Sequence, residues 1–147
     1  MTQTKYTFAD FRKIAAHEKA KLNAVARQWF TDLLATAEVV PGINRGGDRV
    51  RGTIPRDYGT LAASQQAQIL GGSGTRAEGA DAYIFAGASI EAGDVVQVSW
   101  GGPAASYAYE VHYGANGVPG TFWVDELEVR SPTVAANAII KVRERMG

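Results

Sequence analysis

The two histidines are the side chains best suited to acid–base or metal chemistry, yet neither has the neighbours that such chemistry needs. His17 stands beside Glu18 in a stretch with helical spacing, and His112 lies between Val111 and Tyr113. A one-helix zinc motif places two histidines four residues apart beside a glutamate, and that spacing is absent here. We therefore interpret His17 as an exposed helix residue and His112 as a half-buried or interface residue of a sheet.

The serines and the glycine-rich stretches lack the context of a catalytic or phosphate-binding motif. A hydrolase nucleophile sits in Gly-x-Ser-x-Gly between a strand and a helix, but Gly87-Ala-Ser-Ile-Glu91 lacks the last glycine and Gly71-Gly-Ser-Gly74 precedes no predicted helix. No phosphate-cradling glycine motif opens a helix. The chain has no cysteine, which excludes thiolate metal ligands and cysteine nucleophiles. The sequence thus predicts that the protein is not an enzyme and holds no metal or cofactor.

A group of aromatic residues suggests base stacking as an alternative chemistry. Tyr107, Tyr109 and Tyr113 with Trp100 could form a stacking platform for single-stranded nucleic acid, but that mechanism also needs a basic groove. Glu110 is the charged residue among them, and over the whole chain 15 basic residues balance 15 acidic ones. This neutrality argues against a dedicated nucleic-acid binder. We favour core and inter-subunit packing for these side chains.

The spacing of apolar residues predicts an α+β fold within a single domain of 147 residues. A long N-terminal helix (1–40) and a C-terminal helical part (121–147) are expected to pack on a small, mainly antiparallel sheet (61–114). Thr7 and Asp10 form a capping-box pattern at the start of the first helix. At 1.5 Å per residue this helix would measure roughly 45 Å, so its exposed end either overhangs the domain or touches a neighbouring subunit.

Alternating apolar residues place the strands of the sheet. The predicted strands are Ser64–Gly71, Asp81–Ala88 and Asp94–Trp100, and Leu61–Ser64 could turn helically before the first of them. In the third, Val96, Val98 and Trp100 are expected on one face. Residues 105–113 are predicted to form a short helical turn followed by a strand. A new helix is expected to start at Ser131-Pro132, because Pro is well tolerated at a first helical position.

Two glycine-rich segments, 42–59 and 71–79, are predicted to be long flexible loops, with a short extended piece at Arg49–Ile54. Each could be a solvated loop, or an arm that orders against a partner subunit or faces DNA. The candidate interface residues in these arms are Arg45, Arg49, Arg51, Arg56, Gly71, Gly72, Gly74 and Arg76.

Two motifs give the chain a family resemblance. Pro55-Arg-Asp-Tyr-Gly-Thr-Leu-Ala-Ala-Ser64 resembles the Pro-x-Asp-Thr-Gly-x-Leu-x-x-Ser signature of the minor tail-component, or head–tail joining, family of long-tailed bacteriophages. Tyr107-Ala-Tyr-Glu-Val-His-Tyr-Gly114 resembles the same family's Tyr-Ala-x-x-Val-Glu-Tyr-Gly, with His112 in place of Glu and, in the first motif, Tyr58 in place of Thr. The residues that carry the match are Asp57, Gly59, Leu61, Tyr107, Tyr113 and Gly114. An Asp that caps a turn and a Gly that takes a positive φ would serve the fold and not a reaction.

The resemblance implies a structural virion protein of the phage neck. Such a protein looks like a homo-oligomeric ring subunit, commonly of a hexamer, that closes the tail tube as tail terminator or tail-completion protein and joins it to the head connector or stopper proteins. DNA would pass through the lumen without being read, and the chain would be made in the host cytoplasm. No apolar run approaches the ~20 residues of a membrane helix.

Three other functions remain open. One is a head-side adaptor or stopper of the same neck. Another is a small ligand- or peptide-binding module, or an unrecognised hydrolase, on the same α+β scaffold, which would need a concave pocket near Tyr109, Glu110 and His112. The third is a regulatory nucleic-acid binder, which the neutral charge disfavours.

Overall fold

The computed structural model describes residues 7–38, 50–55 and 60–147, and it confirms the predicted α+β fold. The long helices are α1 (Phe8–Glu38) and α5 (Trp123–Met146). The main sheet consists of β1 (Gln66–Leu70), β2 (Arg76–Glu78) and β3 (Val95–Ser99). A second sheet pairs β4 (Gly114–Ala115) with β5 (Val118–Pro119). Shorter helices are α2 (Thr60–Ala63), α3 (Ala82–Gly87) and α4 (Ala108–Tyr113), and a single 3₁₀ turn covers Pro103–Ala105.

The start of α1 is a capping box, as predicted. The Thr7 backbone N–H donates to Asp10 Oδ2 at 2.8 Å, and the Asp10 N–H donates to Thr7 Oγ1 at 3.2 Å. The bond from the Thr7 backbone N–H lowers the pKa of the Asp10 carboxyl, and so, to a smaller extent, does the Thr7 hydroxyl, which donates to Asp10 Oδ2 at 2.9 Å. The predicted stop after Val40 lies outside the described residues. Residues 12–20 are all exposed, so the helix begins well outside the packed part of the molecule.

Helix α5 packs along α1 in the opposite direction. Arg130 Nη1 donates to Thr36 Oγ1 at 3.0 Å, whereas Lys141, nearly three turns later, reaches back to Asp32 Oδ2 at 2.8 Å. The prediction of a new helix at Ser131-Pro132 was wrong, because α5 runs unbroken through Pro132. Proline costs a helix one backbone hydrogen bond and strains the preceding turn. Here α1 holds the helix before the proline, through Arg130 and through the Trp29 Nε1 bond to Ser131 Oγ at 3.2 Å, and after it through Lys141.

The main sheet is antiparallel in the order β2-β1-β3. In β3 the alternation is as predicted, with Val96 and Val98 turned inward and Val95, Gln97 and Ser99 exposed. Ala67 and Ile69 of β1 are fully buried and face the helices. The inner face of the sheet and the α1–α5 pair therefore enclose the core.

The predicted strand Asp81–Ala88 is instead helix α3, so the sheet does not fill 61–114. Its buried residues, Ala82, Tyr83 and Ala86, recur at helical spacing, while Ile84 and Phe85 point outward. The buried Gln65 side chain accepts the Tyr83 N–H at 2.8 Å and holds the start of the helix. Of the residues that suggested a strand, Tyr83 is buried, whereas Ile84 and Phe85 are left on the surface, where strand propensity has little force.

Other boundaries also differ from the prediction. Segment 71–79 is not a loop throughout, because positive φ at Gly71, Gly72 and Gly74 reverses the chain and lets 76–78 pair with β1 as strand β2. Within 50–55, the described part of the predicted extended piece, the chain turns: the Thr53 N–H and hydroxyl both bond to Val50 O. The helical part of 105–113 is confirmed as α4, and the strand that was expected within it begins later, at Gly114.

The core has two principal clusters. One gathers Ala37, Ile54, Leu61, Ala62, Ala105, Val111 and Trp123, and the other Phe30, Leu33, Leu34, Ile69, Tyr83 and Ile90. Trp100 and Leu127 pack against both clusters and join them. In the part of the chain that the structure describes, no helix combines the length and apolarity that a membrane span requires.

Candidate functional site

The residues predicted to form arms divide into three groups. Arg45, Arg49 and Arg56 lie outside the described residues, as do the motif residues Asp57 and Gly59. Gly71, Gly72, Gly74 and Arg76 form the exposed β1–β2 turn and the start of β2. Arg51 belongs to the short segment 50–55. The structure therefore separates Arg51 from the glycine turn and does not bring the candidate arms together into one site.

Arg51 makes its contacts within the chain. Its Nε donates to Glu126 Oε1 at 2.9 Å, and its guanidinium lies 4.8 Å from the centre of the Phe122 ring. The Arg51 side chain is still 64% exposed, so the ion pair is a surface pair of small energetic weight. Arg130 Nη1 bonds to Gly52 O in the same segment at 3.0 Å. These contacts fix segment 50–55 on α5.

The glycine turn between β1 and β2 lies on the surface, with the Asp94 side chain beside Gly72. The Gly74 N–H bonds to Gly71 O at 2.8 Å, and residues 71–74 are all exposed. Arg76 pairs weakly with Glu78 on its own strand at 3.5 Å. This turn is the part of segment 71–79 that still fits a projecting arm.

The second sequence motif folds into α4 and the turn after it. The last carbonyl groups of α4 are satisfied by the chain that returns from β5: Thr121 N–H donates to Val111 O at 3.1 Å and Phe122 N–H to His112 O at 3.0 Å. Gly114 takes a φ of +93°, which confirms the expectation that a glycine lets the chain reverse there. The tyrosines of this motif stay on the surface, Tyr107 at 42% and Tyr113 at 52% exposed. Leu61, from the first motif, is instead buried in the core.

An open cleft of about 350 Å³ lies where the end of β3 meets α4 and the start of α5. Its walls are mainly aromatic and apolar and comprise Val98, Ser99, Trp100, Ala108, Tyr109, His112, Tyr113, Trp123, Val124 and Asp125. Trp100 and Trp123 meet edge to face with ring centres 5.9 Å apart, and the Tyr109 and Tyr113 rings on the rim lie 4.7 Å apart. We call this feature the aromatic cleft.

Sequence reasoning found only half of this cleft. The alternative of a binding module required a pocket near Tyr109, Glu110 and His112. Tyr109 and His112 do line the cleft and Glu110 does not, and the contribution of Trp123, Val124 and Asp125 was not expected. Those three residues open α5, more than ten positions further along the chain. They reach the cleft because the β4–β5 hairpin folds the chain back under α4. The one available signal was Trp123, a large aromatic at a helix start.

His112 lies at the base of the cleft and is only 5% exposed. The rings of Tyr113, Phe122 and Trp123 surround it, with centres at 4.4, 5.5 and 5.0 Å. Neither imidazole nitrogen has a hydrogen-bond partner, and Nε2 lies 3.9 Å from Asp125 Oδ1, too far for a hydrogen bond. The indole nitrogens of Trp100 and Trp123 are likewise buried without a partner. Such a concentration of unsatisfied polar atoms is uncommon in a native fold.

Among the described residues, no group of three or more His, Asp or Glu side chains is placed to hold a metal ion. The wall contains both His112 and Ser99, but neither imidazole nitrogen hydrogen-bonds to any nucleophile. The aromatic faces instead suit the apolar part of a partner, and the unpaired indole N–H groups of Trp100 and Trp123 suit a hydrogen-bond acceptor on it.

Burial lowers the pKa of His112, and the nearby Asp125 carboxylate offsets part of that effect. The unfolded chain therefore takes up a proton at a higher pH than the folded protein does. Stability should decrease as the pH falls below the ordinary value of 6.5, because protonation of the imidazole then favours the unfolded state. The sensitive window lies on the acid side of 6.5.

We expect His112→Phe to weaken this acid sensitivity. Phenylalanine keeps an aromatic ring among the surrounding rings but has no proton to bind, so the slope of unfolding free energy against pH should be shallower than that of the unmodified protein in mildly acidic buffer. Denaturant unfolding at several pH values measures that slope. His17→Gln is the matched control, because His17 is exposed on α1. An unchanged slope for His112→Phe, or an equal loss for His17→Gln, would contradict the assignment.

Comparison with known proteins places the chain in no family, since no protein-family model, no curated protein and no solved structure matches it.

Proposed function

We propose that this protein is a structural subunit of the bacteriophage neck, which assembles into a ring that closes the tail tube and joins it to the head connector. The observation that carries the proposal is the exposed first half of α1, where residues 12–20 all lie on the surface. The two sequence motifs in 55–64 and 107–114 supply the phage assignment, and the absence of catalytic geometry around His112 is compatible with it.

The helix α1 is much longer than its packing requires. Arg145, near the end of α5, bonds to Gln28 Oε1 at 3.3 Å, so α5 runs beside α1 no further than about that point. Residues 8–22 extend beyond it by roughly 20 Å, at 1.5 Å per residue. Ile14 and Leu22 on this segment are 49% and 61% exposed. We call residues 8–22 the α1 overhang.

An overhang of this kind favours a protein that functions as an oligomer over one that functions as a monomer. A helix of about 15 residues without tertiary contacts is marginally stable in water, so the overhang would gain from a partner's surface. When one surface of a subunit binds a different surface of its neighbour, the subunits form a ring if the rotation between neighbours closes. The neck proposal needs that type of assembly.

The proposal predicts a ring of fixed size in solution. We expect native mass spectrometry of the purified chain to show one closed oligomer, with six as the expected number of subunits, and negative-stain microscopy to show rings with a central hole. A protein that stays at its monomer mass of 15.7 kDa at every concentration would contradict it. In virions that contain the chain, antibody labelling should decorate the head–tail junction. Label on the capsid side of the connector would instead favour the adaptor or stopper role.

The aromatic cleft supports a second candidate, a ligand- or peptide-binding module. The predicted pocket near Tyr109 and His112 exists, and its buried nitrogen atoms lack partners. A monomer whose tryptophan fluorescence changes on addition of aromatic or peptide ligands would favour this function. Trp100 and Trp123, both in the cleft wall, are the reporters of that measurement.

A further inference from the structure

The chain is neutral in total but its charges are separated along the sequence. Between Arg76 and Arg130 there are eight Asp or Glu residues and no Lys or Arg. This acidic stretch forms β2, α3, β3, α4 and the start of α5. The α1 overhang, by contrast, carries four basic residues, Arg12, Lys13, Lys19 and Lys21, against two acidic ones, Asp10 and Glu18, of which Glu18 pairs with Lys21 at 3.5 Å, so its net charge is positive. A neutral net charge therefore conceals two surfaces of opposite sign.

The two long helices carry this separation to opposite ends of the molecule. Helix α5 has Asp125 and Glu126 in its first turn and Arg143 and Arg145 in its last. Because α1 runs the other way, the overhang lies at the basic end of α5, and the aromatic cleft lies at the acidic end. The 24 residues of α5 separate these ends by about 35 Å. A rigid α1 cannot fold back to reach the cleft of its own chain.

The overhang and the cleft match in polarity as well as in charge. The overhang presents the exposed Ile14 and Leu22 among lysines and an arginine. The cleft presents an aromatic floor with a half-exposed apolar rim, where Tyr109 is 71% and Val124 46% exposed. Its wall has no basic side chain except the neutral His112, and its charge is the carboxylate of Asp125.

Two further carboxylates flank the cleft. Glu110 follows Tyr109 on α4, and Glu128 lies one turn beyond Val124 on α5, on the side of the helix that faces the cleft. Both are exposed. Each alone would add little in water, but a set of like charges orients an approaching partner of opposite sign and disfavours the wrong one.

We propose that the α1 overhang of one copy docks into the aromatic cleft of the next copy. This inference rests on the proposed ring and deepens it, because it names the two halves of the subunit joint. The binding mode is a helix laid in an apolar groove, with Ile14 and Leu22 against the aromatic floor and the basic residues against Glu110, Asp125 and Glu128. The overhang and the cleft are different surfaces, so each copy binds one neighbour through its overhang and another neighbour through its cleft. That head-to-tail arrangement closes into a ring.

Two variants, each with one of the two surfaces blocked, test the contact between the overhang and the cleft. Ile14→Glu with Leu22→Glu removes the apolar contacts of the overhang and opposes the acidic cleft. Tyr109→Lys with Val124→Lys does the same to the cleft. All four positions are at least 46% exposed, so both variants should fold, as helical content and thermal unfolding will check. Phe85→Glu is the control, since Phe85 is 66% exposed on α3 and lies outside both surfaces.

We expect each blocked variant alone to fall from the ring mass to the monomer mass of 15.7 kDa in native mass spectrometry, and Phe85→Glu to keep the ring. Mixing the two variants should restore association, because the wild-type overhang of the cleft variant meets the wild-type cleft of the overhang variant. Rings in either blocked variant alone, or no association in the mixture, would overturn the inference and leave the ring proposal standing. A wild-type protein that never leaves the monomer mass would instead contradict the proposed function itself.

Discussion

Replacing Trp123 by alanine is expected to lower the free energy of unfolding by about 3–5 kcal/mol, the usual cost of removing a large aromatic side chain from a core. Trp123 is 2% exposed and belongs to the cluster that holds Ile54 and Val111. Its ring also meets Trp100 edge to face at 5.9 Å and His112 at 5.0 Å. The truncation would leave these partners beside a cavity at the junction of β3, α4 and α5.

The size of this loss in unfolding free energy distinguishes a tightly packed cleft wall from a loosely packed one. Denaturant unfolding followed by circular dichroism gives the free energy, and Val124→Ala is the matched control, since the neighbouring Val124 is 46% exposed. That control should change the free energy by no more than about 0.5 kcal/mol, as surface substitutions usually do. If Trp123→Ala costs no more than Val124→Ala, the start of α5 is not anchored as described.

The second large effect is expected from Gly120→Ala, which should lower the free energy of unfolding by about 3 kcal/mol or more, the upper range for overpacking. A Cβ at Gly120 would collide with the carbonyl oxygen of His112 and would lie 2.5 Å from Tyr113 C and 2.7 Å from Gly114 N. All three are backbone atoms. The Thr121 and Phe122 hydrogen bonds to the end of α4 hold the two chain segments at this distance, so neither can move without losing them.

Gly87→Ala is the matched control for that substitution. Neither Gly87 nor Gly120 has a positive φ, so alanine is tolerated by the backbone at both positions. At Gly87 the nearest atom to an added Cβ is the Thr31 hydroxyl oxygen at 2.6 Å, a side-chain atom that can rotate away. The better helix propensity of alanine in α3 offsets up to about 1 kcal/mol. We expect a net change of about 1 kcal/mol or less at Gly87, measured by the same unfolding experiment, and equal losses at the two sites would contradict the steric explanation.

Local sequence patterns predicted the elements whose conformation depends on residues close together in the chain. The capping box at Thr7 and Asp10 needs only two side chains three residues apart, and it forms as expected. The alternation of exposed and inward-facing residues in β3 likewise follows from a strand with one face toward solvent and the other toward the core. These features depend on neighbours along the chain, which a sequence shows directly.

The elements that were predicted wrongly depend on contacts distant in sequence. Residues 82–87 form a helix because Gln65 holds its start and Gly87 lets it approach α1. Helix α5 continues through Pro132 because α1 holds it at Arg130 and Ser131 before the proline and at Lys141 after it. Propensity is a weak influence beside tertiary packing, and both segments lie where packing is dense.

For function, the division is similar. The sequence by itself determined the α+β class, the long first helix, the lack of cysteine chemistry and the two motifs that carry the phage resemblance. Only the tertiary structure assembled the aromatic cleft, because its walls come from β3, α4 and α5, and only the opposed directions of α1 and α5 placed the basic overhang and the acidic cleft at opposite ends. A linear sequence shows which charges and rings a chain possesses, whereas their relative placement follows from long-range packing.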